Sequence, residues 1–341
     1  QVCGVEARPD ADMLQCLQYC KKLPVGRTLF KGICAVLPGS VLIFDEKGRA
    51  AGIWRMACLK PDITLVGEQE AVKELCHVLL ETIRRRVKDG SRIGISLSGG
   101  VDSIGIAFIC RSLFPRAEIH TFTAESSDHE LEGQIAERVG RIIGAVHHHV
   151  PTPSTLIGAH LEKLVWHLED PISRTEILQL LKIGEAAAPC GDTLLCGMEA
   201  DALFAGMARH RLLCWISRWP VIGGVLEEIY NLSQNRLPPS RLRAQLLVNL
   251  CLRKMRVPVP QVKGGPYRPT RIRFDRNRQD LVSSFLAEAF QDGACQDVQK
   301  LEKTFAAYRV CYQSPFLDKD LVRTAFFIPD DLKFKEGQNK Y

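Results

Sequence analysis

Apolar residues recur along the chain with two different periods, and the switches between them mark out elements. In the first sixty residues the runs are short and punctuated by glycine and proline. Gly32-Ile33-Cys34-Ala35-Val36-Leu37-Pro38-Gly39 leads into an apolar run over 41–44, Asp45-Glu46-Lys47-Gly48 turns back, and Gly52-Ile53-Trp54 follows. That pattern predicts short strands and turns, with a hairpin-like pair. Val72, Leu75, Leu79, Ile83 and Val87 then fall three or four positions apart, the spacing of one helix face. Arg84, Arg85 and Arg86 suit the C-terminus of that helix and read as a solvated basic end, and Asp89-Gly90 stops it.

From there short apolar runs alternate with helical stretches. Strands are expected over 93–97, 119–123, 148–150 and 193–196, and helices over 104–114, 130–143, 157–168 and 176–188. Strand–helix alternation at these lengths predicts an α/β fold, a parallel twisted sheet with helices on both faces. After Leu203 the strand signal disappears, and 204–255 and 279–308 read as a mostly helical C-terminal half. Between them, Val257-Pro258-Val259-Pro260-Gln261-Val262-Lys263-Gly264-Gly265-Pro266 reads as a loop. No internal repeat is visible.

Composition narrows the class. A chain of 341 residues, 46% hydrophobic and 25% charged, is a globular protein of one large or two medium domains, and a core of that size needs no disulfide or metal staple. No run of about 18 apolar residues is present, so no spanning helix and no membrane partner are expected. The polar first twelve residues carry no signal-peptide pattern, and a start at Gln1 suggests a fragment or processed chain. The net charge of +6 does not by itself call for nucleic acid. Arg268, Arg271, Arg273, Arg276 and Arg278 lack aromatic interleaving and read as a solvated loop.

Thirteen cysteines are scattered without a Cys-x-x-Cys pair or a histidine at zinc spacing. They read as reduced, mostly buried thiols of a cytoplasmic protein. His147, His148 and His149 are adjacent, so on a strand they alternate between faces and make a poor tridentate metal site.

The informative stretch is Ile93-Gly94-Ile95-Ser96-Leu97-Ser98-Gly99-Gly100-Val101-Asp102-Ser103. A buried strand ends in Ser-Gly-Gly and a helix begins near Asp102. Two glycines allow a sharp turn and close approach to a ligand, and the first-turn N–H groups and helix dipole favour an anion. Ser98 and Ser103 add hydroxyls, so the loop suits phosphate. Gly-x-x-x-x-Gly-Lys-Ser/Thr is absent, so this is not a Walker loop. Asp102 would repel bare phosphate and makes sense with a divalent cation between them.

Residues 98–103 resemble the signature of the PP-loop ATP pyrophosphatase superfamily, which cleaves ATP between its α- and β-phosphates. Three further stretches resemble asparagine synthetases within it. Leu195-Cys196-Gly197-Met198-Glu199-Ala200-Asp201-Ala202-Leu203-Phe204-Ala205-Gly206-Met207 is similar to their second acidic loop. Ser314-Pro315-Phe316-Leu317-Asp318, with Ile328-Pro329, Lys333, Gly337, Lys340 and Tyr341, is similar to their closing block. Leu29-Phe30-Lys31-Gly32-Ile33 with Leu37-Pro38-Gly39 is similar to the tail of their glutaminase domain. The resemblance implies a partial glutaminase-like remnant over 1–60 and an ATP-binding synthetase domain over 61–341.

The resemblance also implies roles. Ser98, Gly99, Gly100 and Ser103 would hold ATP phosphates, Asp102 and Asp201 would bind Mg²⁺, and Leu97, Ala124 and the Cys196-Gly197 backbone would meet adenine and ribose. The implied reaction is adenylation of a carboxylate, aspartate by default, followed by attack of ammonia or an amine on the acyl-AMP. The sequence departs from the family at Met198, where an acid or Tyr is usual, and at Ala202, in place of an acid. Methionine cannot take a proton, which leaves the neighbouring Glu199 as the candidate base. These changes keep open an intramolecular acceptor, as in β-lactam synthetases or lasso-peptide cyclases, and a non-catalytic ATP-binding module. Without an N-terminal Cys nucleophile the chain is expected not to hydrolyse glutamine and to draw on a separate glutaminase or ammonia source. The family also continues past the position of Tyr341 to a lysine that contacts pyrophosphate, so poor turnover is expected of a chain ending there. Besides a small-molecule carboxylate, a homo-oligomeric partner is left open.

Overall fold

The computed structural model describes residues 6–20, 23, 26–37, 39–55, 62, 64, 67–88, 90, 92–125, 130–153, 155–171, 176–191, 193–207, 210, 283, 286–287, 290, 295–335 and 338–340. The chain divides into two units, one of Gln1–Pro61, Ala205–Asp292 and Pro329–Tyr341, the other of Asp62–Phe204 and Gly293–Ile328.

The second unit holds a five-stranded sheet. Its strands, β3 (Ile93–Ser96), β4 (Ile119–Glu125), β5 (Val146–Pro151), β6 (Thr193–Cys196) and β7 (Cys311–Gln313), are ordered β5-β4-β3-β6-β7. All neighbouring pairs are parallel. The central strands are apolar on both sides because helices cover both faces; Ile93, Gly94 and Ile95 are buried in succession. On one face lie α3 (Val101–Leu113) and α4 (Glu130–Ile142), with Gly140 against Thr121 and His147. On the other lie α6 (Glu176–Ala187) and α8 (Cys295–Ala306), whose Ile183, Ala187 and Phe305 pack on Phe122, Val150, Leu194 and Tyr312. Each large apolar side chain so enclosed contributes about 1.5–3 kcal/mol. α5 (Leu156–Leu168) packs on α6 and α8, and the short α7 (Ala200–Leu203) follows β6.

The alternation read from the sequence over 93–203 is present within a residue or two at most element ends. The first central helix starts at Val101 rather than 104. The expectation that strands end before Leu203 is corrected: β7 adds a fifth, from a run of only three residues in which Tyr312 is buried and Cys311 exposed. In α2 (Glu68–Arg86) the buried side chains are Ala71, Thr82 and Ile83, while Val72 is exposed, so the helix meets its neighbours over a narrower stripe than the spacing predicted. Its arginines are not a simple solvated end. Arg85 and Arg86 both bond Asp318, which caps α9 (Lys319–Phe327).

In the first unit, β1 (Ser40–Phe44) and β2 (Ala50–Arg55) form the predicted hairpin. Asp45 Oδ1 accepts from Lys47 N and Arg49 N at 2.9 and 2.8 Å, and Gly48 takes φ +72° at the turn. The reading of strands and turns missed α1 (Ala11–Cys20). Asp10 Oδ1 accepts from Asp12 N and Met13 N, an N-cap, and Met13, Cys16 and Leu17 bury the inner face. At the other end of the chain Asp330 accepts from Ser283, and the buried Lys333 donates to Ser283 Oγ at 2.6 Å. α10 (Asp330–Lys333) leads into the short pair β8 (Phe334–Lys335) and β9 (Gln338–Asn339).

Of the expected helices 204–255 and 279–308, the portion in α8 is seen, and most of the rest lies outside the described residues, as do the breaker-rich segment 257–266, the five arginines after it, Gly337 and Tyr341. No helix among the described residues is long and apolar enough to cross a membrane. Seven cysteines among the described residues are free thiols, and burial is not their rule: Cys16, Cys110 and Cys196 are buried, Cys190 is half-buried, and Cys34, Cys76 and Cys311 are exposed.

Candidate active site

Strand order places the candidate residues. From the central β3 the chain builds outward through β4 and β5, then returns to the other side of β3 as β6. The loops after β3 and β6 therefore diverge at a topological switch point, where open α/β sheets bind ligands beyond the C-terminal ends of their strands. Ser98, Gly99, Gly100, Asp102 and Ser103 lie after β3, Cys196, Gly197, Glu199 and Asp201 at and after β6, and Ala124 near the end of β4. The residues expected to act together thus share one edge of the sheet.

The first loop is held by its own hydroxyls. Ser98 N donates to Ser103 Oγ at 3.1 Å, the two hydroxyls stand 3.0 Å apart, and Gly100 N reaches Ser98 Oγ at 3.3 Å. Ser103 Oγ also lies 3.0 Å from Ser98 O and 3.1 Å from Gly100 O, partners its single proton cannot serve at once. Ser103 is buried and closes the loop, whereas Ser98 is exposed. Gly100 is the extended N-cap of α3 and supplies no side-chain cap, which leaves the cap position to the backbone.

Two glycines are set by close approach. A Cβ on Gly197 would lie 2.9 Å from Ser103 N and 3.1 Å from Asp102 Cβ, so only glycine lets the second loop press against the start of α3. A Cβ on Gly99 would lie 2.8 Å from Glu132 Cα on α4. Beside them, the Leu97 side chain is buried in the core and its carbonyl accepts from Thr123 Oγ1 at 2.6 Å. Ala124 packs against the Phe122 cluster. Cys196 is fully enclosed; burial, only partly offset by hydrogen bonds from the Met198 backbone and Ser96, pushes its thiol up to about 11, so it is inert.

The second loop carries a backbone outlier at Glu199. Glu199 caps α7 at φ +75°, ψ −9°, a left-handed conformation uncommon for a non-glycine residue and concentrated at functional positions. Its carbonyl accepts from Ala202 N and Leu203 N. Met198 packs onto the core, and its carbonyl accepts from Ser314 Oγ at 2.7 Å. Ser314, missed as a site residue, thereby fixes the second loop from the position just after β7; its place in the quoted closing block was the signal for it.

The chemistry of this donor set fits a metal-bound triphosphate. Asp102 and Asp201 sit in the first turns of helices after adjacent strands, and Mg²⁺ is held by one or two carboxylates with substrate phosphates. Carboxylates at a helix N-terminus would otherwise oppose a phosphate placed there.

Residues 74–341 match the Asparagine synthase family. The chain is 28% identical to "Amidase chyE" of Penicillium rubens over 54% of this chain and 30% of that protein. It is 23% identical to "Asparagine synthetase [glutamine-hydrolyzing] 1" of Bacillus subtilis over 97% of this chain and 55% of that one. It is 26% identical to "Putative asparagine synthetase [glutamine-hydrolyzing]" of Mycobacterium bovis over 62% of this chain and 33% of that one. The chain thus spans about a third to a half of the length of these relatives. A family match over most of the chain, running through both loops at the switch point, places this protein in the asparagine synthase family.

Proposed function

We propose that this chain is the nucleotide-activating part of an ATP-dependent, AMP-forming amide synthetase. The observation that supports this most directly is the Gly197 contact, which sets the second acidic loop against Asp102 and Ser103. Ser98 and the backbone N–H groups of Gly99 and Gly100 would bind the triphosphate, and Leu97, Ala124 and the Cys196-Gly197 backbone would line the nucleoside. Asp102 and Asp201 would hold Mg²⁺, which when bound neutralises charge as pyrophosphate leaves. The helix terminus of α3 adds fixed dipoles toward the same charge. A substrate carboxylate attacks the α-phosphorus, and an amine then opens the acyl-AMP. Glu199 would take the proton of that amine.

The default substrate is aspartate with ammonia. Met198 favours a second reading, in which an amine on a larger carboxylate substrate attacks: its side chain packs onto the core instead of presenting an acid. The test is to incubate the chain with ATP, Mg²⁺ and candidate carboxylates and to follow AMP and pyrophosphate. Carboxylate-dependent release of both is expected. Release of ADP and phosphate, or nucleotide binding indifferent to Mg²⁺, would overturn the proposal.

A further inference from the structure

A second constellation lies at the opposite edge of the same sheet. His120 is the second residue of β4, and His148, on β5, is in register with Phe122. His120 and His148 therefore share the face covered by α6. Cys190 ends the short helical turn Ala188–Cys190 that leads from α6 into β6. Their donor atoms all lie within 4.8 Å of one another. His120 Nδ1 is 2.9 Å from His148 Nε2, which is 3.9 Å from Cys190 Sγ. The rings stack with centroids 5.2 Å apart, and Phe122 also stacks on His148 at 4.7 Å, so the imidazoles are held in place.

The outer contact sets the chemistry. Glu118 Oε1 lies 2.8 Å from His120 Nε2. A carboxylate accepts, so that nitrogen carries the proton and Nδ1 presents a lone pair to the cluster. A carboxylate behind a histidine ligand is the usual support for a metal-bound imidazole. His147 and His149 lie on the other face, bonded to Thr121 and Glu125, so one histidine of the triplet takes part, joined by two residues far from it in sequence.

We propose that His120, His148 and Cys190 form a Zn²⁺ site, with Glu118 orienting His120. Two imidazoles and a thiolate suit zinc, while a set without oxygen donors does not suit Mg²⁺ or Ca²⁺. Zinc bond lengths of about 2.0–2.1 Å to nitrogen and 2.3 Å to sulfur in a tetrahedron imply donor separations of about 3.4–3.6 Å, and the observed 2.9 and 3.9 Å straddle that range. On binding, the Cys190 thiol proton passes to solvent and His148 shifts its proton to Nδ1, which frees Nε2. The ion would tie β4, β5 and the lead-in to β6 together at the edge away from the nucleotide loops, with a fourth coordination position left for water.

The test uses the full chain, stripped of metal with a chelator and titrated with Co²⁺ as a spectroscopic stand-in for zinc. One equivalent is expected to give tetrahedral visible bands and a thiolate-to-cobalt charge-transfer band, both displaced by Zn²⁺. Cys190→Ser removes the charge-transfer band, and Glu118→Gln keeps it while weakening affinity about 10- to 100-fold. Cys34→Ser leaves both unchanged. On the unmutated chain, Zn²⁺ protects Cys190 from alkylation, read by mass spectrometry. A charge-transfer band that survives in Cys190→Ser, or alkylation of Cys190 at an undiminished rate under saturating Zn²⁺, would overturn the proposal.

Discussion

Arg86 Nη1 donates to Asp318 Oδ2 at 2.9 Å across 232 residues of sequence, joining the end of α2 to the cap of α9. Asp318 also accepts from Asp320 N at 3.0 Å and from Arg85 at 3.1 Å. The Asp318 and Arg86 side chains are only 11% and 17% exposed, so solvent screens this pair weakly, whereas Arg85 is half exposed and adds less. Asp318→Ala is expected to cost about 2–4 kcal/mol, because it removes a helix cap and strands a partly buried guanidinium. Urea unfolding measures this, and a change below about 0.5 kcal/mol, typical of a surface site, would show that the pair does not stabilise the fold.

The same carboxyl predicts a pH dependence. Burial alone would raise the pKa of Asp318, but the hydrogen bonds from Arg86, Asp320 N–H and Arg85, with the charge of Arg86, outweigh it and hold the group below the usual aspartate range. A depressed folded pKa contributes stability above the unfolded value of about 3.9, and that contribution is lost as pH falls through the folded value. Thermal unfolding of the parent chain is expected to fall off more steeply than that of Asp318→Asn below about pH 4. Parallel curves for the two proteins would contradict the assignment.

Gly197 and Gly105 should respond oppositely to alanine. At Gly197 a methyl meets Ser103 N and Asp102 Cβ, so Gly197→Ala should cost about 1–3 kcal/mol and abolish Mg²⁺-dependent ATP binding by parting the two loops. Gly105, inside α3, has nothing within 4 Å of an added Cβ, and Gly105→Ala should stabilise by about 0.5–1 kcal/mol with binding retained. Calorimetric unfolding and nucleotide titration on both variants decide it.

Glu199 carries a conformational cost that glycine would relieve. Glu199→Gly is expected to raise stability by about 1 kcal/mol and to slow amide formation about 100-fold or more, while ATP–pyrophosphate exchange continues. Loss of exchange as well would give Glu199 a role in nucleotide binding instead. Met198→Glu, which places an acid where the family has one, must displace a side chain packed on the core. It should therefore lose about 1–3 kcal/mol, whatever it does for turnover.

How far the sequence could be read depended on the length of each signal. The alternation over 93–203 was legible because parallel strands buried on both faces and helices of a dozen residues repeat their patterns long enough to stand out. β7 was not, since three residues carry no period, and β6 alone supplies its register. α1 was within reach: Asp10 followed by Met13, Cys16 and Leu17 is a cap and a helical stripe, masked by the turn-rich residues after it. Among the site residues, the local ones were readable because a phosphate-binding turn needs its glycines and hydroxyls in adjacent positions. Ser314 on Met198, and Glu118 behind His120 with Cys190 nearby, were invisible to spacing because each joins elements brought together by the fold.

The sequence by itself determined the strand–turn–helix that begins at Ile93 and the acidic loop after Cys196, because backbone sterics, helix-end dipoles and local hydroxyls act within a few residues. Only the tertiary structure decided that these two loops meet at Gly197, that Arg86 is tethered to Asp318, and that two distant residues join one histidine of a triplet. Those relationships follow from the order of strands in the sheet and from the packing of helices around it, and both are settled by long-range contacts that no local pattern encodes.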